Sequence, residues 1–198
     1  MDVEILLYPG FDEVDAIGPH EMFQNARAAG ADVETALVTL DEAATVVASH
    51  GLEVGVDGRL GTPDTLVVPG GWWGDRSENG VYGEYRRGSI PDAIARVYDA
   101  GATVLSICTG AMLVAEAGCF DGVPATTHHV AHEALRETAA TFVSARVVDA
   151  GRLCSCGGVT AGFDLTAHFL ERAFGTAVHE AVLTEMEYEP RGPIHDAG

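Results

Sequence analysis

Short apolar runs along the chain alternate with longer segments in which apolar residues recur at helical spacing. A run that is apolar throughout suits a strand buried on both faces of a parallel sheet, whereas helical spacing suits an amphipathic helix. The pattern predicts strands at 3–8, 33–40, 65–68, 103–107 and 124–127, a hairpin within 45–56, and a second hairpin between 142–148 and 152–156. It predicts helices at 19–29, 91–100, 109–117, 130–138, 161–174 and 176–187.

Two boundaries in this pattern depend on proline and glycine. The first helix is expected to begin at Gly18 and Pro19, after a turn, because proline is favoured in the first turn of a helix and disfavoured in its interior. The segment 72–89 is rich in glycine and aromatic residues, so it is expected to be a long loop with at most one turn of helix.

The alternation of strands and helices predicts a single domain over residues 1–198. This order of elements is typical of an α/β sandwich with a mostly parallel sheet. Ligands of such sheets bind beyond the C-terminal ends of the strands. A functional site is therefore expected in the loops that follow Tyr8, Val68 and Ile107.

The composition excludes several classes of partner. The chain has a formal charge of −19, with 30 acidic residues against 11 basic ones, all of them arginine. Nucleic acids and anionic membrane surfaces both require a basic face, so neither is expected as a partner. No apolar run approaches the roughly 20 residues that span a bilayer, and the start lacks a basic leader, so a cytoplasmic protein is expected.

The excess of acid without any lysine also favours a protein adapted to concentrated salt. At about 1 M salt the charges are screened within roughly 3 Å, and a high net charge keeps a protein soluble. The alternative interpretation is an ordinary acidic protein with GC-biased coding.

The strongest chemical signal is Cys108, in the segment Ser106-Ile107-Cys108-Thr109-Gly110. An apolar strand that runs into a cysteine and directly into a helix predicts a nucleophile elbow. There the helix N-terminus should lower the pKa of the thiol, and the N–H of Thr109 should face an oxyanion. The alternative is a buried structural cysteine. By contrast, Cys154 and Cys156 are interpreted as two small buried strand residues, since their spacing does not suit zinc.

Three further loops carry weaker signals. Paired glycines at Gly70 and Gly71 allow a ligand to approach the backbone N–H groups, although they also suit an ordinary turn. One of the acids that follow the first strand, Asp12, Glu13, Asp15 or Glu21, is a candidate proton donor beside the thiol, although these acids also suit an ordinary solvated turn. His128 is a candidate base or substrate ligand, and Trp72 is a candidate lid over the pocket or a contact with a partner subunit.

Five segments occur together in an order that resembles the DJ-1/PfpI superfamily. They are YPGFDEVDAIGPHEMF, VVPGG, SICTGAMLVAEAG, DGVPATTHH and SCGGVTAGFDLTAHFLE. The combination of D-x-x-GPHE, CTG, ATTH and GG-x-TAG-x-D, with a final EYEP, is similar to the isonitrile hydratase branch of that superfamily.

The resemblance implies a flavodoxin-like three-layer sandwich, a homodimer, and a site without cofactor or metal. It implies that Cys108 is the nucleophile, that Asp15 is the acid in contact with its sulfur, and that Thr109 assists. It also implies that the N–H groups of Gly71 and Thr109 form the oxyanion site and that His128 lies near the pocket. Peptidase-like members carry histidine directly after the nucleophile, so Thr109 disfavours peptidase activity.

The expected function is the addition of water to an isonitrile, a small-molecule substrate, to give an N-substituted formamide. Two alternatives use the same sulfur. One is a glutathione-independent glyoxalase or deglycase acting on α-oxoaldehydes. The other is a redox-sensing or stress-protective protein without turnover, in which Cys108 is oxidised.

Overall fold

The computed structural model describes residues 1–197, in which short strands and helices alternate. The strands are β1 (Asp2–Leu6), β2 (Glu34–Thr39), β3 (Thr45–Val47), β4 (Glu53–Gly55), β5 (Gly58–Arg59), β6 (Thr65–Val68), β7 (Thr103–Ser106), β8 (Pro124–Ala125), β9 (Thr141–Phe142), β10 (Val147–Ala150), β11 (Leu153–Cys156) and β12 (Ile194–Asp196). The helices are α1 (Glu13–Ala28), α2 (Val81–Arg87), α3 (Ser89–Asp99), α4 (Ala111–Glu116), α5 (His132–Arg136), α6 (Ala161–Phe174) and α7 (Thr176–Glu185). Two turns of 3₁₀ helix, Cys108–Gly110 and His129–Ala131, precede α4 and α5.

A mostly parallel sheet lies at the centre of the fold. Over the described range it has eight strands in the order β12-β10-β11-β7-β6-β1-β2-β5, and the β10–β11 pair is antiparallel. The central strand β6 is buried at every position, as expected for a strand covered on both faces. This architecture confirms the predicted α/β sandwich with a mostly parallel sheet.

The helices form two layers against the sheet. Helices α1, α6 and α7 pack on one another, and α2, α3 and α4 form a second group. Large apolar side chains such as Phe23, Ile94 and Leu105 are completely or almost completely buried between these layers. None of the helices within residues 1–197 combines the length and the apolar character needed to cross a membrane.

The start of α1 differs from the prediction. The helix begins at Glu13, and Pro19 lies inside it rather than in its first turn. The Asp12 carboxylate caps the N-terminus by accepting the N–H of Val14 at 3.1 Å, and Glu13 and Asp15 place acidic groups in the first turn. These favourable end interactions outweigh the cost of the proline. The earlier start places Asp15 on a helix instead of in a loop.

Three other segments were also assigned incompletely from the sequence. The segment 72–89 contains α2, a helix of seven residues, rather than a single turn. The hairpin of β10 and β11 is confirmed, but Thr141–Phe142 forms a separate strand that pairs with β8. The edge strand β12 was not predicted, because its residues are exposed and show no apolar pattern.

Candidate active site

Cys108 lies at the turn between β7 and the helical segment that leads into α4. Its φ is +57°, a left-handed conformation that costs energy for any residue with a side chain. Two hydrogen bonds hold the turn, because the Cys108 N–H donates to Gly157 O at 3.1 Å and Thr127 Oγ1 donates to Cys108 O at 2.8 Å. The turn therefore has the strand–helix geometry of a nucleophile elbow.

Two glycines allow the ends of β6 and β7 to come this close. A Cβ at Gly110 would lie 2.3 Å from Val68 O and 2.6 Å from Pro69 O. A Cβ at Gly70 would lie 2.8 Å from Cys108 Cβ and equally close to the backbone nitrogen of Thr109. Neither position can hold a larger residue without displacing the backbone around the nucleophile.

Asp15 approaches the nucleophile from the first turn of α1. Its side chain is fully buried, and its Oδ2 accepts the N–H of Gly70 at 2.9 Å. Burial raises the pKa of the Asp15 carboxyl well above its usual range, and the charge of Asp12 adds to this increase. The Gly70 N–H and the Cys108 thiol offset only part of it. Asp15 is thus set up to hold a proton.

The Cys108 thiol acts on the Asp15 carboxyl as a hydrogen-bond donor that opposes the rise in its pKa, although none of the well-aligned hydrogen bonds among residues 1–197 joins the two side chains. Within residues 1–197 the second carboxyl oxygen of Asp15, Oδ1, has no hydrogen-bonding partner. An unpaired buried carboxyl oxygen is costly, and that cost is smallest when the group is neutral. Oδ1 is therefore the unbonded oxygen of a carboxyl whose neutral form is favoured.

The pKa of the Cys108 thiol is raised, whereas the sequence predicted that it would be lowered. Burial raises that pKa, and the neighbouring charge of Asp15 raises it further. The backbone N–H groups of Val159 and Thr109 act in the other direction but do not compensate. The prediction that the helix N-terminus lowers this pKa is wrong for the unliganded site, because the thiol is only 6% exposed and desolvation dominates.

The glycine N–H groups proposed as an oxyanion site already have partners. Gly71 N–H donates to Thr109 Oγ1 at 3.1 Å, and Gly70 N–H donates to Asp15. The sequence predicted that these two N–H groups would face a substrate oxyanion. In the unliganded site they do not, because the side chains of Asp15 and Thr109 accept their hydrogen bonds. The N–H groups that point at the sulfur belong to Thr109 and Val159.

His128 lies at the edge of this cluster. Its Nδ1 accepts the N–H of Val130 at 3.3 Å, and its ring covers Gly158, where a Cβ would come within 2.1 Å of Cδ2. Burial and the neighbouring histidines His129 and His132 lower the pKa of His128, so its neutral form is favoured. The His128 ring packs against the loop that carries Val159. The backbone N–H of His128 donates to Cys108 O at 3.4 Å.

Trp72 lies at the rim of the site rather than within it. It is 39% exposed, and its ring lies 6.0 Å from that of His50 on the β3–β4 hairpin. The adjacent Trp73 turns inward and packs edge-on against Tyr82 and Tyr85. The structure thus separates the two tryptophans: Trp72 follows Gly71 with an exposed side chain, whereas Trp73 packs inward.

One group of side chains near the rim has the spacing of metal ligands. Asp12, Glu13 and His50 each offer a ligand atom within 4.8 Å of the others. However, Glu13 already accepts hydrogen bonds from Ser49 Oγ and from the backbone and ring of His50. Although burial opposes it, these bonds lower the pKa of Glu13 to about 2. The group joins the β3–β4 hairpin to α1.

A cavity of about 630 Å³ lies beside the site, on the far side of the loop that follows β1. Its walls include Leu7, Tyr8, Val46 and Ile90, and neither Cys108 nor Asp15 lines it. A cavity of this volume is itself a candidate for binding a small ligand. The strained turn and the buried carboxyl make Cys108 the better candidate, because functional sites concentrate strain and perturbed pKa values.

Comparison with known proteins agrees with this geometry. A family model described as the DJ-1/PfpI family matches residues 1–172. The chain belongs to the DJ-1/PfpI family. Isonitrile hydratase from Pseudomonas putida is 30% identical to it over 201 residues, which cover 100% of this chain and 82% of that protein.

Solved structures of DJ-1/PfpI proteins have the same fold. A ThiJ/PfpI family protein from Pseudomonas syringae superposes with a TM-score of 0.84 at 25% identity, covering 97% of this chain and 76% of that one. Schizosaccharomyces pombe DJ-1 superposes with a TM-score of 0.78 at 16% identity, covering 96% and 100%. At that identity the second likeness shows the fold alone. The flavodoxin-like sandwich expected from the resemblance is confirmed.

The structure brings most of the predicted site residues of this DJ-1/PfpI protein together. They are Asp15, Gly70, Gly71, Cys108 and Thr109, with His128 at the edge and Trp72 at the rim. Sequence reasoning missed Val159, whose backbone N–H lies at the Cys108 sulfur, and Tyr8, whose hydroxyl donates a hydrogen bond to Pro69 O. Val159 has a φ of +40°, but nothing in its residue type signals this. Tyr8 precedes Pro9 and Gly10 at a strand end, where a polar ring tip could have been noticed.

Proposed function

We propose that this protein adds water to isonitriles to give N-substituted formamides, with Cys108 as the nucleophile and Asp15 as the proton donor. The observation that carries the proposal is the buried carboxyl of Asp15, whose raised pKa favours its protonated form beside the thiol. An isonitrile needs both a nucleophile and a proton at its terminal carbon. The related isonitrile hydratase supports the same substrate class.

In the first step the Cys108 sulfur attacks the terminal carbon of R–N≡C and forms a C–S bond. Because the pKa values of both groups are raised, the thiol and the carboxyl each hold a proton at rest, and the thiol releases its proton to solvent as the sulfur attacks. Asp15 delivers the carboxyl proton to the same carbon. The product is a thioimidate, R–N=CH–S–Cys108, and Asp15 is left as a carboxylate.

In the second step water adds to the thioimidate carbon. The Asp15 carboxylate accepts a proton from the water, while the nitrogen of the thioimidate gains one. Collapse of the adduct breaks the C–S bond and releases R–NH–CHO, and the sulfur leaves as a thiolate. The Thr109 and Val159 N–H groups near the sulfur stabilise this leaving thiolate.

Burial of the thiol also bears on the alternative functions. A redox sensor requires an exposed thiol with a low pKa, whereas Cys108 is buried and its pKa is raised. This observation favours a catalytic role in which the thiol loses its proton only as its sulfur attacks a bound substrate.

The test is formamide production from cyclohexyl isocyanide, measured by mass spectrometry at high salt. Wild-type protein should turn over and Cys108→Ala should not. Cys119→Ala is the control, since Cys119 is a partly exposed cysteine outside the site. Residual activity of Cys108→Ala within about tenfold of wild type would contradict the mechanism. Lactate formed from methylglyoxal, with no formamide from the isocyanide, would favour the glyoxalase alternative.

A further inference from the structure

A single peptide unit, Pro69–Gly70, is held by hydrogen bonds at both of its edges. The hydroxyl of Tyr8 donates to Pro69 O at 2.5 Å, and Gly70 N–H donates to Asp15 Oδ2 at 2.9 Å. Because a peptide is planar, its C=O and N–H groups belong to one rigid unit and point in opposite directions. Tyr8 and Asp15 therefore hold opposite sides of the same plane.

The Tyr8 hydroxyl is well placed to keep this role. The residue is only 3% exposed, and the hydroxyl also lies 3.1 Å from Gly70 O. Burial raises the pKa of Tyr8 well above its usual value, and the charges of Asp15 and Cys108 raise it further. Tyr8 thus remains a protonated donor at neutral pH.

The other hydrogen bonds of this turn act on the next peptide. Asp12 N–H donates to Gly70 O at 2.8 Å, and Gly71 N–H donates to Thr109 Oγ1. Both groups belong to the Gly70–Gly71 peptide, so they leave the preceding peptide free to rotate. Among the hydrogen bonds of residues 1–197, the one from Tyr8 is the bond that fixes Pro69 O.

We propose that Tyr8 is a positioning residue that acts on Asp15 through the Pro69–Gly70 peptide. A donor on the C=O polarises the amide and strengthens its N–H as a donor to the carboxylate. Tyr8 also prevents rotation of the peptide, which would remove the N–H from Asp15. The significance for catalysis rests on the proposed function, but the coupling of Tyr8 to Asp15 can be tested without any substrate.

The groups around Asp15 define how the coupling can be measured. Asp12, Cys108, Tyr8 and the buried Cys156 all interact electrostatically with it, and Glu84 acts on Tyr8. Removing the Tyr8 hydroxyl weakens the Gly70 bond to the carboxylate, so Asp15 loses its proton at a higher pH in the variant and is less charged at each pH in the range where it ionises. A less charged Asp15 repels the Cys108 thiolate less. The thiol should therefore react faster at a given pH.

The experiment measures the rate of Cys108 alkylation by iodoacetamide between about pH 6 and 9, by peptide mass spectrometry that separates Cys108 from Cys119. In Tyr8→Phe the rate profile should move to lower pH by on the order of half a pH unit. Asp15→Asn should move it further in the same direction. Tyr188→Phe is the matched control, because it removes a hydroxyl bond to Asp164 away from the site.

The double variant Tyr8→Phe/Asp15→Asn decides whether Tyr8 acts through Asp15. If it does, the double variant has the same profile as Asp15→Asn alone, since an amide has no charge to modulate. The proposal is overturned if Tyr8→Phe leaves the profile unchanged, or if it shifts the profile equally with and without Asp15. A wild-type protein that makes no formamide would refute the proposed function and leave this result intact.

Discussion

The backbone N–H of Gly71 donates a hydrogen bond to Oγ1 of Thr109, and the two atoms lie 3.1 Å apart. This bond joins the turn after β6 to the turn that carries the nucleophile. Thr109 is almost completely buried, so no water can replace its hydroxyl without rearrangement. The hydroxyl of the residue after the nucleophile is therefore a structural link as well as a neighbour of the sulfur.

Thr109→Val removes this acceptor at nearly constant volume. The Gly71 N–H is then buried without a partner, which costs about 1–3 kcal/mol, so the Tm should fall and turnover should decline. Thr109→Ser keeps the oxygen and should retain most of both. Thermal unfolding and formamide production of the two variants check this. A loss in Thr109→Ser together with wild-type behaviour of Thr109→Val would assign the effect to the methyl group instead.

Asp15→Asn should lower kcat by about 10²- to 10⁴-fold, because the amide cannot donate a proton. The same change should stabilise the fold at neutral pH. The raised folded-state pKa of Asp15 means that its stabilising protonation is complete below the unfolded-state pKa and is lost as pH rises through the folded-state pKa. An amide mimics the protonated form, so the Tm advantage of Asp15→Asn should grow as pH rises.

Thermal unfolding of wild type and Asp15→Asn at several pH values measures this advantage. Asp75→Asn is the control, since Asp75 is exposed and its substitution should show no such trend. A Tm difference that does not change with pH would mean that Asp15 is not buried as a neutral acid.

Gly70→Ala should damage both folding and activity. The added Cβ would lie 2.8 Å from Cys108 Cβ and from the backbone nitrogen of Thr109, so the nucleophile turn must move. Overpacking of this kind costs roughly 1–3 kcal/mol. Gly74→Ala is the matched control in the same loop, because no atom lies within 4 Å of its added Cβ. If Gly70→Ala keeps wild-type Tm and kcat, the close approach of β6 and β7 is not required.

The sequence predicted the α/β architecture and the strand–helix turn at Cys108, while the role of Cys108 as a nucleophile stays a prediction. The apolar run before Cys108 and the glycine after Thr109 sufficed to place a strand–helix turn. Asp15 was placed by resemblance, and only the capping by Asp12 explains how it comes to lie on a helix. The local sequence did not reveal this N-terminal cap, because Pro19 indicated a later start of the helix.

The electrostatic state of the site could not be predicted from the sequence. A helix N-terminus lowers the pKa of a thiol only where solvation and hydrogen bonds stabilise the thiolate by more than burial destabilises it. Burial depends on the whole fold, so the local sequence does not predict it. The same limit applies to the glycine N–H groups, whose partners come from α1 and from the turn after β7. The homodimer, the location in the cytoplasm and the adaptation to salt stay predictions.

The net charge of −19 leads to a prediction about salt. Raising KCl from about 0.1 M to about 1 M shortens the screening length from roughly 10 Å to 3 Å, which relieves repulsion among surface acids. The Tm should therefore rise over this range. A neutral osmolyte at matched osmolality is the control and should give a smaller increase. A Tm that is flat or falls with KCl would contradict adaptation to salt.

The most direct test of the central claim is the mass of the protein during single turnover with cyclohexyl isocyanide. Sulfur addition and proton transfer retain every atom of the substrate, so Cys108 should transiently gain the mass of one isocyanide molecule. The gain should be lost as formamide appears, and Cys108→Ala should show neither. Formamide produced without any adduct at Cys108, and equally by Cys108→Ala, would contradict the account.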